Sequence, residues 1–391
     1  MRNDPISTML AERIAAGDFP SAVYVVAESA SVVAADALGD AVRNGDRHAA
    51  TLDTIYDLAS LTKPLVTGLL CARALEHVEL KLDDAAARYL PEFDREDKRA
   101  ITVAQLLTHT SGLPAWRPLY LLAGGDKERA LRAIADEALE APPGTQVRYS
   151  DLGFITLGFL LQRLSGITLA EVARREIFEP LKLERTFFNP EKARITEMAA
   201  CEMGNMYERE TCGDPQGDRY PWRENLIWGE VHDGNAHFLG GAAGHAGLFS
   251  TARETLRVAR QFLSGSTELL KPETCSQFRT NLTEGLEEAR SIGWQLAATR
   301  DSTGGNRLPP DSFGHLGFTG TSCWNDPVNE RTFILLTNRT HARALPFVNI
   351  NNVRRRFHTL AVELLDGRVV ANGGLSDPPA VAGGSGRGLG E

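Results

Sequence analysis

The sequence lacks the segments that would carry a chain into or across a membrane. No stretch approaches the ~18 consecutive apolar residues of a membrane-spanning helix. The first thirty residues contain no basic start followed by an uninterrupted apolar run, which is the pattern of a secretory signal. We therefore expect a cytoplasmic protein with no membrane partner, and a periplasmic one only if a signal has been removed.

The sequence also has little cysteine and a deficit of positive charge. Its five cysteines are widely spaced, form no Cys-x-x-Cys pair and match no zinc-site spacing, which favours reduced structural thiols. Lysine and arginine number 42 against 51 aspartate and glutamate residues, and the resulting net charge of -9 disfavours binding to nucleic acid. We expect no metal and no cofactor, and the sequence does not indicate an oligomeric state.

What the sequence does contain is typical of a large globular protein. Hydrophobic residues make up 42% and charged residues 24% of its 391 positions. At roughly 150 residues per domain, this length allows two or three domains, or one large domain with an insertion.

Apolar periodicity predicts both strands and helices. The predicted strands are 22–27, 31–35, 291–297, 313–318, 322–325 and 332–337. The predicted helices are 6–14, 61–82, 152–164, 252–263 and 350–365, and helical pieces broken by Pro/Gly turns fill much of the region between residues 83 and 223.

Strands near both ends with helices between them predict an α/β fold in which a mainly helical segment interrupts the sheet domain. The predicted α/β domain comprises residues 1–82 and 224–370, and the helical domain comprises 83–223. The tail at 371–391 is rich in Gly, Ser and Pro, a composition that predicts disorder.

Ser60-Leu-Thr-Lys63 places a hydroxyl and an amine one helical turn apart. A serine is inert at neutral pH unless a neighbouring base takes its proton, and a lysine whose pKa is lowered can do so. Backbone N–H groups at a helix N-terminus could also stabilise an oxyanion at Ser60. Taken alone, the motif is equally compatible with an N-capping serine and an exposed lysine.

Two further segments carry candidate functional residues. Tyr149-Ser-Asp151 precedes an apolar helix, where a phenol could shuttle a proton and Asp151 could hold Lys63 charged or oriented; the alternative is a helix cap. Gly314-His-Leu-Gly-Phe-Thr-Gly-Thr321 spaces glycines along a strand so that a ligand could lie against the backbone; the alternative is a bulged edge strand. Its spacing is not the Gly-x-Gly-x-x-Gly of dinucleotide folds.

Three motifs together resemble, in order and spacing, the active-site motifs of serine β-lactamases and penicillin-binding proteins. They are Ser60-x-x-Lys63, Tyr149-x-Asp151 and His315-x-Gly317. The resemblance extends over about residues 5 to 365 and is closest to the class C β-lactamase branch, to penicillin-binding protein 4B-type proteins and to esterases of the β-lactamase fold. The supporting phrases are Leu106-Leu-Thr-His-Thr-Ser-Gly-Leu113, Val231-His-Asp233 and Gly244-His-Ala-Gly-Leu-Phe-Ser-Thr251.

The resemblance implies the β-lactamase/DD-peptidase fold, an antiparallel sheet flanked by helices, and a serine hydrolase that needs no cofactor. It implies that Ser60 attacks a carbonyl to form an acyl-enzyme, and that Lys63 and Tyr149 pass the proton to the leaving group. The implied oxyanion hole is formed by the N–H groups of Ser60 and Phe318. The implied substrate-binding residues are Asp151, His315, Gly317, Thr319 and Arg339.

The chain departs from the family pattern at residues that bear on the substrate. Asp151 replaces the usual Asn, His315 replaces a Lys found in many relatives, and Leu316 replaces a Thr hydroxyl. A histidine of ordinary pKa is mostly neutral at pH 7, so the usual contacts to a substrate carboxylate are weakened. Arg339 or Arg343 could substitute for them.

These departures favour carboxylic esters of short acyl groups as substrates. The alternatives are a D-alanyl-D-alanine carboxypeptidase or D-amino-acid peptidase, a weak β-lactamase, and a non-catalytic ligand sensor or assembly protein. The expected partner is thus a small ester, amide or β-lactam.

Histidines outside the three motifs suggest less chemistry. His232, His237 and His245 could be taken for a metal cluster, but their spacing fits no known site, and we interpret them as hydrogen-bonded structural residues. We interpret His109 in the same way.

Overall fold

A seven-stranded antiparallel sheet forms the centre of the molecule. The computed structural model describes residues 4–45, 47–212 and 220–373. The strand order is β3-β2-β1-β9-β8-β7-β6, so that the first and last strands of the chain pair at the middle of the sheet, with Ala22 opposite Thr337. The sheet strands are β1 Ser21–Glu28, β2 Ser31–Val42, β3 His48–Ala49, β6 Gln295–Leu296, β7 Phe313–Leu316, β8 Ser322–Asp326 and β9 Arg331–Thr337.

A separate two-stranded ladder lies next to the Ser60 segment. It pairs β4 Tyr56–Asp57 with β5 Phe249–Ser250. Because Ser60 follows β4 by three residues, this ladder anchors the chain just before the candidate nucleophile.

Helices cover both faces of the sheet, and further helices lie in the chain segment between its N-terminal and C-terminal strands. The α-helices are α1 Pro5–Ala15, α2 Leu69–Glu76, α3 Val103–Leu107, α4 Leu119–Leu122, α5 Ala130–Asp136, α6 Asp151–Ser165, α7 Leu169–Ala173, α8 Met206–Cys212, α9 Gly234–Phe238, α10 Ala252–Ala259, α11 Pro272–Gln277 and α12 Asn351–Gly373. Two π-helical segments, Lys63–Gly68 and Arg174–Phe178, adjoin α2 and α7.

Side chains of β1 alternate between two hydrophobic clusters. Val23 and Val25 pack into the larger cluster, which also contains residues of α3 and α6, whereas Tyr24 and Val26 pack with α1 and α12. Both faces of the strand are therefore buried, which explains why 22–27 is a continuous apolar run and not an alternating one. The larger cluster joins the sheet to the helical region.

Most predicted elements are present, with altered limits. The predicted helix 61–82 is instead a 3-10 turn at Ala59–Leu61, the π-helix, and α2, which ends at Glu76. Of the predicted strand 291–297 only Gln295–Leu296 pairs with a neighbouring strand of the sheet. The last helix runs eight residues past its predicted end at 365, to Gly373, and enters the tail predicted for 371–391; the rest of that tail lies outside the described residues.

The strands agree with the predicted arrangement of segments. All nine described strands lie outside residues 83–223. The division into two domains itself stays a prediction, since one core spans both segments.

Among the described residues, no single helix is long and apolar enough to cross a membrane. The pair Asp151–Ser165 and Leu169–Phe178 meets the criterion jointly, by length and composition only, with a bend of 75° between the two helices.

Candidate active site

Ser60 lies on the 3-10 turn directly before the π-helix that carries Lys63. Lys63 Nζ lies 2.9 Å from Ser60 Oγ. Asp57 holds the turn by accepting a hydrogen bond from the Ala59 N–H at 2.8 Å, and the Leu61 N–H donates to the Leu58 carbonyl. The sequence thus brings the two members of its first motif into direct contact.

The Lys63 amine is fully buried and has two further partners. Its Nζ lies 2.6 Å from Asp151 Oδ1 and donates to the His245 carbonyl oxygen at 3.2 Å. Burial by itself lowers the pKa of Lys63, but the Asp151 carboxylate and Tyr149 raise it more, so that the pKa lies above its ordinary value. The structure therefore gives Asp151 the charge-holding position that the sequence left open.

Tyr149 and Asp151 are placed by the start of α6. Ser150, between them, is the N-cap: its hydroxyl accepts from the Gly153 N–H. His109 buttresses the tyrosine, since its ring centroid lies 4.5 Å from that of Tyr149 and its Nδ1 accepts from the Ser150 N–H at 3.0 Å. Helix capping and active-site placement are thus both features of this motif.

Tyr149 lies against the Lys63 ammonium. Nζ is 4.9 Å from the centroid of the phenol ring. Burial raises the pKa of Tyr149, while the Lys63 charge and hydrogen bonds with Lys63 and Ser60 partly oppose that rise. The phenol is therefore protonated at neutral pH and available as a proton donor.

The turn after β7 brings Phe318 next to the Ser60 segment. The Gly317 N–H donates to the Thr321 carbonyl, and the Gly320 N–H donates to the Gly317 carbonyl, which closes the turn without the Phe318 N–H. A Cβ on Gly317 would lie 2.0 Å from Thr321 Oγ1 and 2.5 Å from the Leu58 carbonyl oxygen. Only glycine fits this close approach.

Thr319 is not part of the wall of the cavity beside Ser60, which is described below. Its hydroxyl donates to the Asp57 carbonyl at 2.7 Å, and only 1% of the residue is exposed. Thr321 donates in the same way to the Leu58 carbonyl. The substrate contact predicted for Thr319 is replaced by a bond that ties the Phe318 turn to the nucleophile segment.

The predicted residues meet at one cavity of about 580 Å³. Its wall includes Ser60, Tyr149, Asp151, His315, Gly317, Phe318 and Arg339 from the sequence-predicted set. It also includes Trp116, Asp233 from the Val231-His-Asp233 phrase, and five residues that the sequence did not single out: Tyr207, Glu208, Arg290, Asn351 and Arg354. A signal for the last two was present, since Asn351 and Arg354 are three residues apart at the start of a predicted helix.

Two arginines on this wall have no acidic partner among the described residues. Arg354 donates to the carbonyl oxygens of Gly317 and Thr321 and to Asn351 Oδ1, and Arg339 donates to those of Phe318 and Val348. Burial, followed by the charge of Arg339, lowers the pKa of Arg354 to about 9. Arg343, the predicted alternative, is absent from the wall.

Carboxylates lie on another part of the same wall. Asp233 caps α9, and its Oδ1 is 2.8 Å from His245 Nε2. Glu208 accepts from the Gly234 N–H at 2.6 Å and from the Tyr120 hydroxyl at 3.2 Å. Burial, with the nearby Asp233 charge, raises the pKa of Glu208 to about 7.

The three histidines considered as a metal cluster each pair with a different carboxylate. His232 pairs with Glu202, His237 with Glu230 and His245 with Asp233. Asp151, Asp233 and His245 do bring one candidate ligand atom each within 4.8 Å of one another. The Lys63 ammonium already lies 2.6 Å from Asp151 Oδ1 there, so this carboxylate is paired with the lysine.

The fold and the Ser-Lys-Tyr geometry are those of a serine hydrolase. The beta-lactamase family model matches residues 6–353, and the chain belongs to this family. An Escherichia coli K12 protein named "Putative D-alanyl-D-alanine carboxypeptidase" is 32% identical over 314 residues, which cover 75% of this chain and 71% of that one.

Solved structures show the same fold. EstCE1, described as a hydrolase with promiscuous acyltransferase activity, superposes with a TM-score of 0.70 at 23% identity, covering 92% of this chain and 97% of the other. The octameric penicillin-binding protein homologue from Pyrococcus abyssi also gives 0.70, at 20% identity, covering 94% and 78% of the two chains.

Proposed function

We propose that the protein hydrolyses small substrates that carry a carboxylate next to the scissile bond, in the manner of a D-alanyl-D-alanine carboxypeptidase. The observation that carries the proposal is Arg354, a buried cation on the cavity wall without an acidic partner in the described structure. A buried charge is costly unless it is paired, and a substrate carboxylate would supply the partner. The name of the Escherichia coli relative supports the same class of substrate.

This proposal revises the preference for esters without a carboxylate. That preference rested on the replacement of Lys and Thr by His315 and Leu316, and it left out the charge of Arg354. The guanidinium bonds the carbonyl oxygen of Gly317 at 2.7 Å, so it lies beside the very strand end from which the usual contacts are missing.

Acylation begins at Ser60. Two of the Lys63 partners, Asp151 Oδ1 and the His245 carbonyl, can only accept hydrogen bonds. A neutral Lys63 amine directs its two N–H bonds to them, and its lone pair is then left for the Ser60 hydroxyl. Ser60 Oγ attacks the carbonyl carbon as Lys63 takes its proton, and Tyr149 delivers a proton to the leaving group.

The oxyanion is stabilised by the N–H groups of Ser60 and Phe318. Their separation is set by the bonds from Thr319 and Thr321 to the carbonyls of Asp57 and Leu58. Donors held in this way need no reorganisation when charge develops on the carbonyl oxygen. Water then attacks the acyl-enzyme with the same groups acting in reverse.

The test compares N-acetyl-D-alanyl-D-alanine with its C-terminal amide. We expect the wild type to prefer the free carboxylate by at least about tenfold in kcat/KM, and Arg354→Gln to lose this preference. Intact-protein mass spectrometry should place the acyl group on Ser60. An equal rate on the two substrates, or an unchanged preference in Arg354→Gln, would contradict the proposal.

Hydrolysis of short-chain esters is the second candidate. The neutral His315 and the apolar Leu316 offer no charge to a carboxylate, and the fold is shared with EstCE1. Fast turnover of p-nitrophenyl butyrate, without turnover of the peptide or a lasting adduct with penicillin, would favour this candidate.

A further inference from the structure

His315, which belongs to the cavity wall, carries a buried hydrogen-bond acceptor without a partner among the described residues. Its Nδ1 lies 2.8 Å from the Leu316 carbonyl oxygen. Because a carbonyl oxygen only accepts, Nδ1 carries a proton, and in a neutral imidazole the lone pair then lies on Nε2. Nε2 is buried without a hydrogen-bond partner in the described chain, although His315 belongs to the cavity wall. Only 5% of the residue is exposed.

The imidazole is held neutral by its surroundings. Burial lowers the pKa of His315 well below the ordinary value, and the positive charges of Lys63 and Arg290 lower it further. Protonation of Nε2 would place a third cation beside these two. Nε2 therefore remains an acceptor at physiological pH.

The acceptor lies beside the group that delivers the proton to the leaving group. The ring centroids of His315 and Tyr149 are 5.9 Å apart. His315 is also three residues before Phe318 on the same strand and turn. A substrate whose carbonyl oxygen occupies the oxyanion hole and whose leaving atom meets Tyr149 would bring that leaving atom near Nε2.

We propose that His315 Nε2 accepts a hydrogen bond from the N–H of the leaving group, and that this bond raises the acylation rate of amides relative to that of matched esters. This inference rests on the acyl-transfer function proposed above. A buried acceptor without a donor is destabilised, and an amide nitrogen supplies the donor. An ester oxygen carries only lone pairs, which would face the lone pair of Nε2.

The hydrogen bond also orients the leaving nitrogen. With its N–H directed to His315, the nitrogen presents its developing lone pair to the Tyr149 hydroxyl. The bond from Ser60 Oγ to the carbonyl carbon forms and the C–N bond breaks. Lys63 takes the proton of Ser60, Tyr149 gives a proton to the leaving nitrogen, and Lys63 returns a proton to Tyr149. His315 neither gains nor loses a proton in this step.

The experiment uses two substrates that differ in one atom. N-acetyl-D-alanyl-D-alanine and N-acetyl-D-alanyl-D-lactate share the acyl group and the carboxylate, and the second replaces the scissile N–H with oxygen. The acylation rate of Ser60 is measured for each by rapid quench and intact-protein mass spectrometry. We expect His315→Leu to lower the amide rate about 10- to 100-fold more than the ester rate. His315→Gln, whose side-chain carbonyl can accept, should recover part of the loss.

His358→Gln is the matched control. His358 is also a buried histidine with one bonded nitrogen, 2.9 Å from Ser322 Oγ, and one unpaired nitrogen among the described residues, but it does not line the cavity. This variant should leave the amide-to-ester ratio unchanged even if it lowers stability.

Two results would overturn the inference. One is an equal loss on both substrates in His315→Leu, and the other is a wild type whose Ser60 is acylated by neither. The first result would leave the proposed function standing, since both substrates would still acylate Ser60. In the second case, labelling of Ser60 by p-nitrophenyl butyrate would keep acyl transfer, but the carboxylate-bearing substrate class and the leaving-group contact would both fall. Absence of any label on Ser60 would instead contradict the proposed function.

Discussion

The buried contact between Lys63 and Asp151 is the main chemical departure at the residue scale. An Asn at position 151 would orient the lysine without charge, whereas the carboxylate also favours its ammonium form. The neutral amine that accepts the Ser60 proton is thus the minor form at neutral pH. We expect activity to increase as the pH is raised toward the pKa of Lys63.

Replacing Asp151 with Asn should move this pH dependence. Removal of the carboxylate removes the main cause that raises the pKa of Lys63, so the ascending limb of kcat/KM should shift to lower pH by about one to three units. The pH profile of Asp151→Asn against wild type measures the shift, and Asp53→Asn, which removes an exposed acid outside the cavity, is the control. A limb that stays in place would show that Asp151 does not set the charge of Lys63.

Replacing Ser60 with Ala should lower turnover by more than about a thousandfold, because it removes the hydroxyl that the proposed mechanism acylates, 2.9 Å from Lys63 Nζ. The variant should keep its unfolding transition and should form no acyl adduct by intact-protein mass spectrometry. Turnover close to that of the wild type would contradict the acyl-enzyme mechanism.

At the scale of elements, residues 244–248 cross the helix that carries Lys63. The Gly244 carbonyl accepts from Thr67 Oγ1, the His245 carbonyl accepts from Lys63, and the Leu248 N–H donates to Thr62 Oγ1. This segment and the π-helix therefore hold the lysine jointly. The helix pattern of the sequence predicted the face of Lys63 but not this crossing, which depends on residues 180 positions away in the chain.

Close packing at Gly244 gives a test of this arrangement. A Cβ there would lie 2.0 Å from the Phe154 carbonyl oxygen and 2.9 Å from the Gly158 nitrogen. Gly244→Ala should therefore lower the free energy of unfolding by about 1–3 kcal/mol and reduce kcat by displacing the His245 carbonyl. Urea unfolding measures the first effect. Gly367→Ala, where a Cβ meets nothing within 4 Å, is the control: as a substitution within α12 it should not lower the free energy of unfolding, and it should leave kcat unchanged.

At the scale of the whole molecule, an ionisable group in the cavity wall makes the stability of the fold depend on pH. Glu208 is buried, and its pKa of about 7 lies above that of an exposed glutamate in the unfolded chain. The folded state thus retains a proton that the unfolded state has lost between about pH 4.5 and pH 7. Stability contributed by this group is present at low pH and falls as the pH rises through that window.

Glu208→Gln should remove this contribution to the pH dependence. As the pH increases, the free energy of unfolding of the wild type should fall relative to that of the variant, by at most about 1.4 kcal/mol per pH unit within the window. Urea titrations at pH 5 and pH 8 measure it, with Glu284→Gln, an exposed glutamate, as the control. A difference that is constant with pH would show that Glu208 ionises alike in both states.

The sequence was most informative where chemistry depends on short spacing. Ser60 and Lys63 are three residues apart, and Tyr149 and Asp151 flank the N-cap of α6, so the members of each pair are held close together by the local chain. The family resemblance supplied the order of the motifs and the fold. Arg354 was missed because its importance comes from the absence of an acidic partner, which only three-dimensional packing reveals. Thr319 was misplaced because spacing cannot show that a hydroxyl points to the Asp57 carbonyl and not to the cavity.

The two threonine bonds from the Phe318 turn to the nucleophile segment have a consequence for local motion. Because Thr319 and Thr321 hold consecutive carbonyls of Asp57 and Leu58, the two segments of the proposed oxyanion hole cannot separate without breaking both bonds. The segments are more than 250 residues apart in sequence, yet they should open as one cooperative unit. In hydrogen exchange, their amides should therefore share a single opening free energy.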